Sequence, residues 1–189
     1  MRIIIDKTIQ KVYNKSIKLF IYIRRSIMEL FFQQKLSINS KVQITDENEN
    51  PVYTGTTNGW TGVITLKDAD NKKVAKIIHK NSLFDKSYTI KVGGKKLAKI
   101  KKKFSLINQN FNVKKLGWTI KGDFVAKEYT ITKGEEVVAT IKKAKLVSLL
   151  DAYSANITNE EDAVAVMCVV LVLNNILNAK KGKLLKAIK

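Results

Sequence analysis

The chain has 189 residues, 45% of them hydrophobic, with one cysteine, one histidine and a formal charge of +19. That is enough apolar material for a single cored domain, so bulk disorder is excluded, and a lone cysteine rules out a disulfide framework or a CxxC metal knuckle. The charge is unevenly spread: residues 1–27 hold six net positives and residues 180–189 hold five, leaving +8 for the 152 residues between them. Arginine occurs only at Arg2, Arg24 and Arg25, and the lysine-, isoleucine- and asparagine-rich bias is partly what an AT-rich coding sequence gives. The remaining excess points to an anionic partner, phospholipid or nucleic acid.

In chain order, residues 1–27 form the first candidate element. On a helical wheel Ile5, Ile9, Val12, Tyr13, Ile17 and Phe20 gather on one face and Lys7, Lys11, Lys15 and Lys18 on the opposite one. A basic amphipathic helix of this kind suits an anionic membrane surface. Two other readings stand beside it: a helix laid against the domain, and initiation at Met28. Ile17 to Ile27 is interrupted by Lys18, Arg24 and Arg25 and has no small-residue cleavage site, so it does not read as a signal peptide. A cytoplasmic protein, with or without peripheral membrane contact, is the expectation.

From residue 28 the chain alternates with period two. Val42–Asp46 leads through a polar turn to Pro51–Tyr53; Ile64–Asp68 leads through Ala69-Asp70-Asn71 to Lys73–Ile77; Tyr88–Val92 leads through Gly93-Gly94 to Leu97–Ile100; and Tyr129–Thr132 leads through Lys133-Gly134-Glu135 to Val138–Ile141. Each unit reads as a hairpin with Asp, Asn or Gly at its turn. Leu116 to Lys127 (LGWTIKGDFVAK) reads as one extra Gly-punctuated hairpin. Counting both arms and their links predicts about a dozen short strands.

Ala163 to Leu173, AVAVMCVVLVL, is apolar on every side and therefore predicts a helix buried all round. At 1.5 Å per residue the run spans about 16 Å, against the ~30 Å of a bilayer core, so a membrane span is not expected. Glu160, Glu161 and Asp162 place carboxylates at the positive end of its dipole, with Asn159 or Thr158 as cap. A dozen-stranded meander solves its edge problem by closing, and such a barrel is too wide for its own side chains to fill. The predicted fold is thus mainly β, an approximately twelve-stranded closed barrel enclosing a C-terminal helix at 160–178. Residues 28–179 form the domain, with a basic extension at 1–27 and a basic tail at 180–189.

The succession of Glu29–Lys35 (ELFFQQK), the ITDENENPVY turn, KKVAKIIHK, KKLAKIKKKFSL, LGWTIKGDF, VVATIKKAK and the DAVAVMCVVLVL helix resembles the LURP-one-related proteins, over about Met28 to Ala179. The resemblance implies the fold of the tubby C-terminal domain and of phospholipid scramblases, a twelve-stranded barrel around a central hydrophobic helix. It also implies a link to membrane lipid, since tubby domains bind phosphoinositides and scramblases act on lipid. No lipid-binding residue of that group maps onto a position here.

Catalytic chemistry has little to stand on. His79 is the only histidine, Cys168 lies inside the apolar helix, and no GxxxxGK[ST] or GxGxxG is present, so no enzyme, cofactor or metal is expected. Asp46–Asn50 imitates the opening of a calcium loop but lacks the glycine at the sixth place and has Thr57 where the twelfth-position glutamate belongs, so it reads as a hairpin turn. Aligning the VAKI, LAKI and VATI repeats makes His79, Lys102 and Lys143 register equivalents two residues past an inward isoleucine, which directs them to one rim of the barrel. With Lys80, Lys101, Lys103 and Lys142 on the outer face, they form the candidate anion or headgroup site, against a reading as a solvated or salt-bridged rim.

The expected function is non-enzymatic binding of anionic phospholipid or phosphoinositide. Non-specific nucleic-acid binding through Lys99–Lys103 and Lys142–Lys145 is the alternative, together with a protein-interaction scaffold. The scarcity of arginine argues against nucleic acid, and Trp60, Trp118 and Phe124 are expected to pack as core or belt rather than as exposed stacking platforms.

Overall fold

Strong β-alternation with turn residues at short intervals produces an antiparallel meander in the computed structural model, which describes residues 27–33, 41–82, 86–101, 110–124, 126–146 and 149–187. The strands are β1 (Met28–Gln33), β2 (Lys41–Thr45), β3 (Pro51–Thr57), β4 (Ile64–Asp68), β5 (Lys73–Asn81), β6 (Lys86–Val92), β7 (Lys95–Lys101), β8 (Asn110–Val113), β9 (Trp118–Asp123), β10 (Glu128–Lys133), β11 (Glu136–Leu146) and β12 (Leu149–Ile157). The helix α1 spans Ala163–Ala187. All twelve strands belong to one antiparallel sheet in the order β7-β6-β5-β4-β3-β2-β1-β12-β11-β10-β9-β8. Every neighbour is a sequence neighbour except β1 beside β12, which joins the start of the domain to its last strand over six registered pairs from Met28–Ile157 to Gln33–Ala152.

The sheet curls until its two outer strands meet. Beside the seam between β7 and β8, the Lys115 ammonium donates to the Lys96 carbonyl at 2.6 Å. The result is the expected twelve-stranded barrel with a C-terminal helix, nearly closed at the seam between β7 and β8. Two other expectations change. Leu116–Lys127 is not a hairpin in itself: Trp118–Asp123 forms the single strand β9, paired on one side with β8 and on the other with β10. Gly122, read as turn punctuation, instead lies in β9 at φ 140, where a Cβ would fall on the backbone of Glu128 and Tyr129. Glycine there permits close approach of two strands.

Glu160–Asp162 forms a 3₁₀ turn rather than the first α-helical turn, and the Asn159 side chain caps it by accepting from the Glu161 N–H. The α-helix then runs from Ala163 past the expected limit of 178 to Ala187, so much of the basic tail continues the same helix. Val166 through Leu173 are all buried, as are Ile176 and Leu177. Around them the inward strand positions supply Leu30, Phe32, Ile44, Leu66, Ile77, Ile90, Ile100, Ile120, Ile131, Ile141 and Ile157. Each such side chain contributes about 1.5–3 kcal/mol by leaving water, and helix and barrel are each other's only means of achieving it.

Both faces of the helix being apolar, its orientation is read from its ends. It enters at the Thr158–Asp162 end of the barrel. Near the opposite end the Tyr88 hydroxyl donates to Asn175 Oδ1 at 3.1 Å. No helix among the described residues is long and apolar enough to cross a membrane.

Candidate lysine-rich wall and rim loop

The segments KVAKIIHKN, KSYTIKV and KKLAKIK form three consecutive strands, β5 to β7, with nine lysines and no carboxylate. Their inward positions, Ala75, Ile77, Tyr88, Ile90, Ala98 and Ile100, are buried against the helix. Strand alternation then leaves the lysines of the opposite parity on the outer surface. The register sets some of them against each other: Lys76 faces Lys91 across β5 and β6, Lys91 faces Lys96 across β6 and β7, and Lys67 of β4 faces Lys73. Like charges directly opposite each other destabilise a sheet, so the fold gains nothing from this arrangement.

The lysine wall adjoins an open groove of about 570 Å³ on the outer face of β3–β5. Thr56, Thr65 and Lys76 form one cross-strand row of it, and Thr57, Asn58, Thr61 and Lys73 complete most of its lining. Hydroxyl donors beside two ammonium groups suit phosphate oxygens.

Above the groove, the β3–β4 loop is tied by its own hydrogen bonds. Asn58 Oδ1 accepts from the Trp60 N–H (3.1 Å), the Thr61 N–H (2.9 Å) and the Thr61 hydroxyl (3.0 Å), while Asn58 N–H donates to the Val63 carbonyl and Gly62 N–H to that of Asn58, both at 2.8 Å. Gly62 has φ 64, and a Cβ there would sit 3.2 Å from His79 Nδ1. The loop therefore rests on the rim residue His79 and turns through a conformation that favours glycine. Trp60 at its tip is 100% exposed, which corrects the expectation that it packs as core or belt; Trp118 and Phe124 are buried as expected. The loop closes through Asn58, so nothing requires the indole to fold inward.

His79 itself is half-buried and inward at the end of β5, stacked on Tyr88 with ring centroids 4.5 Å apart and planes 7° from parallel. Burial pushes the Tyr88 hydroxyl up to about 12. Lys80 and Lys101 are exposed and flank Ser87 in register, at the same end of the lysine wall. Lys142 and Lys143 are exposed on β11, opposite Ser154 and Tyr153. Lys102 and Lys103 lie outside the described residues. His79 and Lys143 do share one end of the barrel, but β5 and β11 are six strands apart in the sheet order. At about 4.8 Å per strand that places them roughly 20 Å apart across the barrel, too far to hold one phosphate together.

Lys67, Lys73, Lys76, Lys91 and Lys96 are not among the rim positions that the repeats single out. The single lysine at the outward position of VAKI, TIKV and LAKI is legible in the sequence, but the pairing of Lys76 with Lys91 depends on the register.

Asp46 and Cys168 have structural roles. Asp46 accepts from the N–H of Asn48 and Asn50 and from the Asn50 side chain, which holds its carboxyl below the usual carboxylate value and closes a hairpin turn. Burial pushes the Cys168 thiol up to about 12. Cys168 is seven residues before Asn175, about 10 Å along the helix from the level of the His79–Tyr88 stack, so the two do not form a nucleophile–base pair. Among the described residues no group of three or more His, Cys, Asp or Glu side chains is placed to hold a metal ion.

A nearly closed twelve-stranded antiparallel barrel threaded by a C-terminal hydrophobic helix is the tubby-like architecture. The LURP-one-related family matches residues 28–174, and the chain belongs to that family. It is 29% identical over 154 residues to the uncharacterized protein YxjI of Bacillus subtilis, covering 80% of this chain and 94% of that one. It also resembles the X-ray structure of an Arabidopsis thaliana protein, with TM-score 0.57 and 16% identity over 79% of this chain and 90% of the other, a likeness of fold.

Proposed function

We propose that the protein is a non-catalytic binder of anionic phospholipid, with the outer face of β5–β7 as its contact surface. The observation that carries this reading is the set of nine lysines without a carboxylate on three adjoining strands, two pairs of them directly opposed in register. A field of one sign, maintained at a cost to the sheet, is what a surface recruited to an anionic plane requires, with each lysine near such a membrane contributing about 1 kcal/mol. The threonine-lined groove beside Lys73 and Lys76 supplies donors for a headgroup phosphate. Lys80 and Lys101 extend the same surface to the rim, while Lys142 and Lys143 belong to another wall.

The test is co-sedimentation of the full chain with neutral and phosphatidylserine-containing vesicles at near-physiological salt, with duplex DNA as competitor. The expected result is binding to the anionic vesicles only, lost in the Lys76→Glu/Lys91→Glu/Lys96→Glu variant. Retention by that variant would remove the wall from the reading, and complete displacement by DNA would favour a nucleic-acid phosphate backbone instead.

A further inference from the structure

Trp60 is the feature that headgroup binding by lysines leaves unexplained. Of the described residues only Ile27, Trp60 and Val137 are exposed large hydrophobics, and Trp60 alone projects from the His79 end of the barrel, wholly in water. Its loop is rigid by construction: the Asn58 carboxamide takes three hydrogen bonds from Trp60 and Thr61, and Gly62 seats the loop against His79. A tip held this firmly has already lost the conformational entropy that insertion into another medium would otherwise cost.

The same end of the barrel is basic. Lys80 and Lys101 sit at the top of the lysine wall, and α1 continues for twelve residues after Asn175. Twelve residues are about 18 Å of helix. Tryptophan has an apolar body with one polar N–H and concentrates at the boundary between headgroups and acyl chains. An exposed indole at the same end as Lys80 and Lys101 is complementary to an anionic bilayer and ill-suited to an anionic protein groove, where those cations would also have to find partners in fixed positions.

We infer that the Trp60 loop is a membrane-insertion wedge: the barrel docks on an anionic bilayer by the edge where the lysine wall meets its His79 end, and the Trp60 indole enters the headgroup–acyl boundary. This rests on the lipid-binding reading above and adds to it an orientation and an apolar anchor that lysines alone do not provide.

Intrinsic fluorescence tests it in the full chain, because the second tryptophan, Trp118, is only 3% exposed and shielded in the core. Phosphatidylserine-containing vesicles are expected to shift Trp60 emission to the blue, and brominated acyl chains to quench it. Neither effect should occur in Trp60→Ala. Trp60→Ala is expected to weaken vesicle affinity about tenfold, since an interfacial indole leaves only part of its surface in water, with Trp60→Phe between the two. The urea midpoint should stay unchanged in both variants, given the full exposure of the side chain. Wild-type binding without a blue shift or quenching, together with equal binding by Trp60→Ala, would overturn the wedge and leave lysine-mediated binding standing. Absence of any vesicle binding by the wild type would overturn both.

Discussion

Strands β5–β7 and β9–β11 bury the same kind of residue in the same positions: Ala75 and Ile77, Ala98 and Ile100, and Ala139 and Ile141 are all nearly inaccessible. In their charged residues the two sets of strands diverge. The first carries nine lysines and no carboxylate, and opposes lysine to lysine. The second carries five lysines with Asp123, Glu128 and Glu136, and sets Lys133 against Glu136, Lys121 against Thr130 and Glu128 against Asp123. The inner residues answer to packing around one helix and are alike because that demand is alike. The outer residues are released from packing, so a one-sided charge there is not dictated by the core.

Both walls depend on the same central helix. Val169 is fully buried in α1; Val169→Asp puts an unpaired charge inside both walls at once, a cost of several kcal/mol against a typical total of about 5–15, and the cooperative urea transition should disappear. Next in size, Ile77→Ala and Ile141→Ala should each destabilise by about 2–5 kcal/mol and agree with each other within about 1 kcal/mol in urea unfolding. A large inequality would show that the walls are not equivalent inside.

Alkaline titration probes one tyrosine from each wall. Burial raises the hydroxyl of Tyr88 to about 12 and that of Tyr129 further still. Between the unfolded value near 10 and the raised folded values, the unfolded chain holds fewer protons than the folded one, so stability present below about pH 10 must fall as pH rises through that window. Thermal melts from pH 8 to 12 should show the loss, and Tyr88→Phe should make it shallower. The smallest effect has opposite signs on the two walls. Lys91→Thr removes repulsion from Lys76 and Lys96 and should stabilise by about 0.2–1 kcal/mol, whereas Lys133→Thr removes attraction to Glu136 and should destabilise by a similar amount. Both shifts should shrink in high salt, and equal signs would mean that cross-strand charge does not distinguish the walls.

Period-two alternation, the turn residues and one all-apolar run determined the strands, their approximate number and the need for a central helix, because each depends on neighbours a few residues away. The limits of local reading show at particular residues. Gly122 reads as a turn from sequence and is a strand residue because β10 passes close over it. His79 and Lys143 read as one site by repeat position, but closure around α1 puts them on opposite sides of the barrel. Trp60 reads as core or belt from its hairpin position, and only the Asn58-tied loop shows it wholly in water. The confrontation of Lys76, Lys91 and Lys96 likewise awaited register. Alternation along a strand is set by local geometry and is visible in one dimension. Which side chains meet across strands, and at which end of the barrel, is fixed by hydrogen-bond register and by the packing of a distant helix, and those are properties of the folded chain alone.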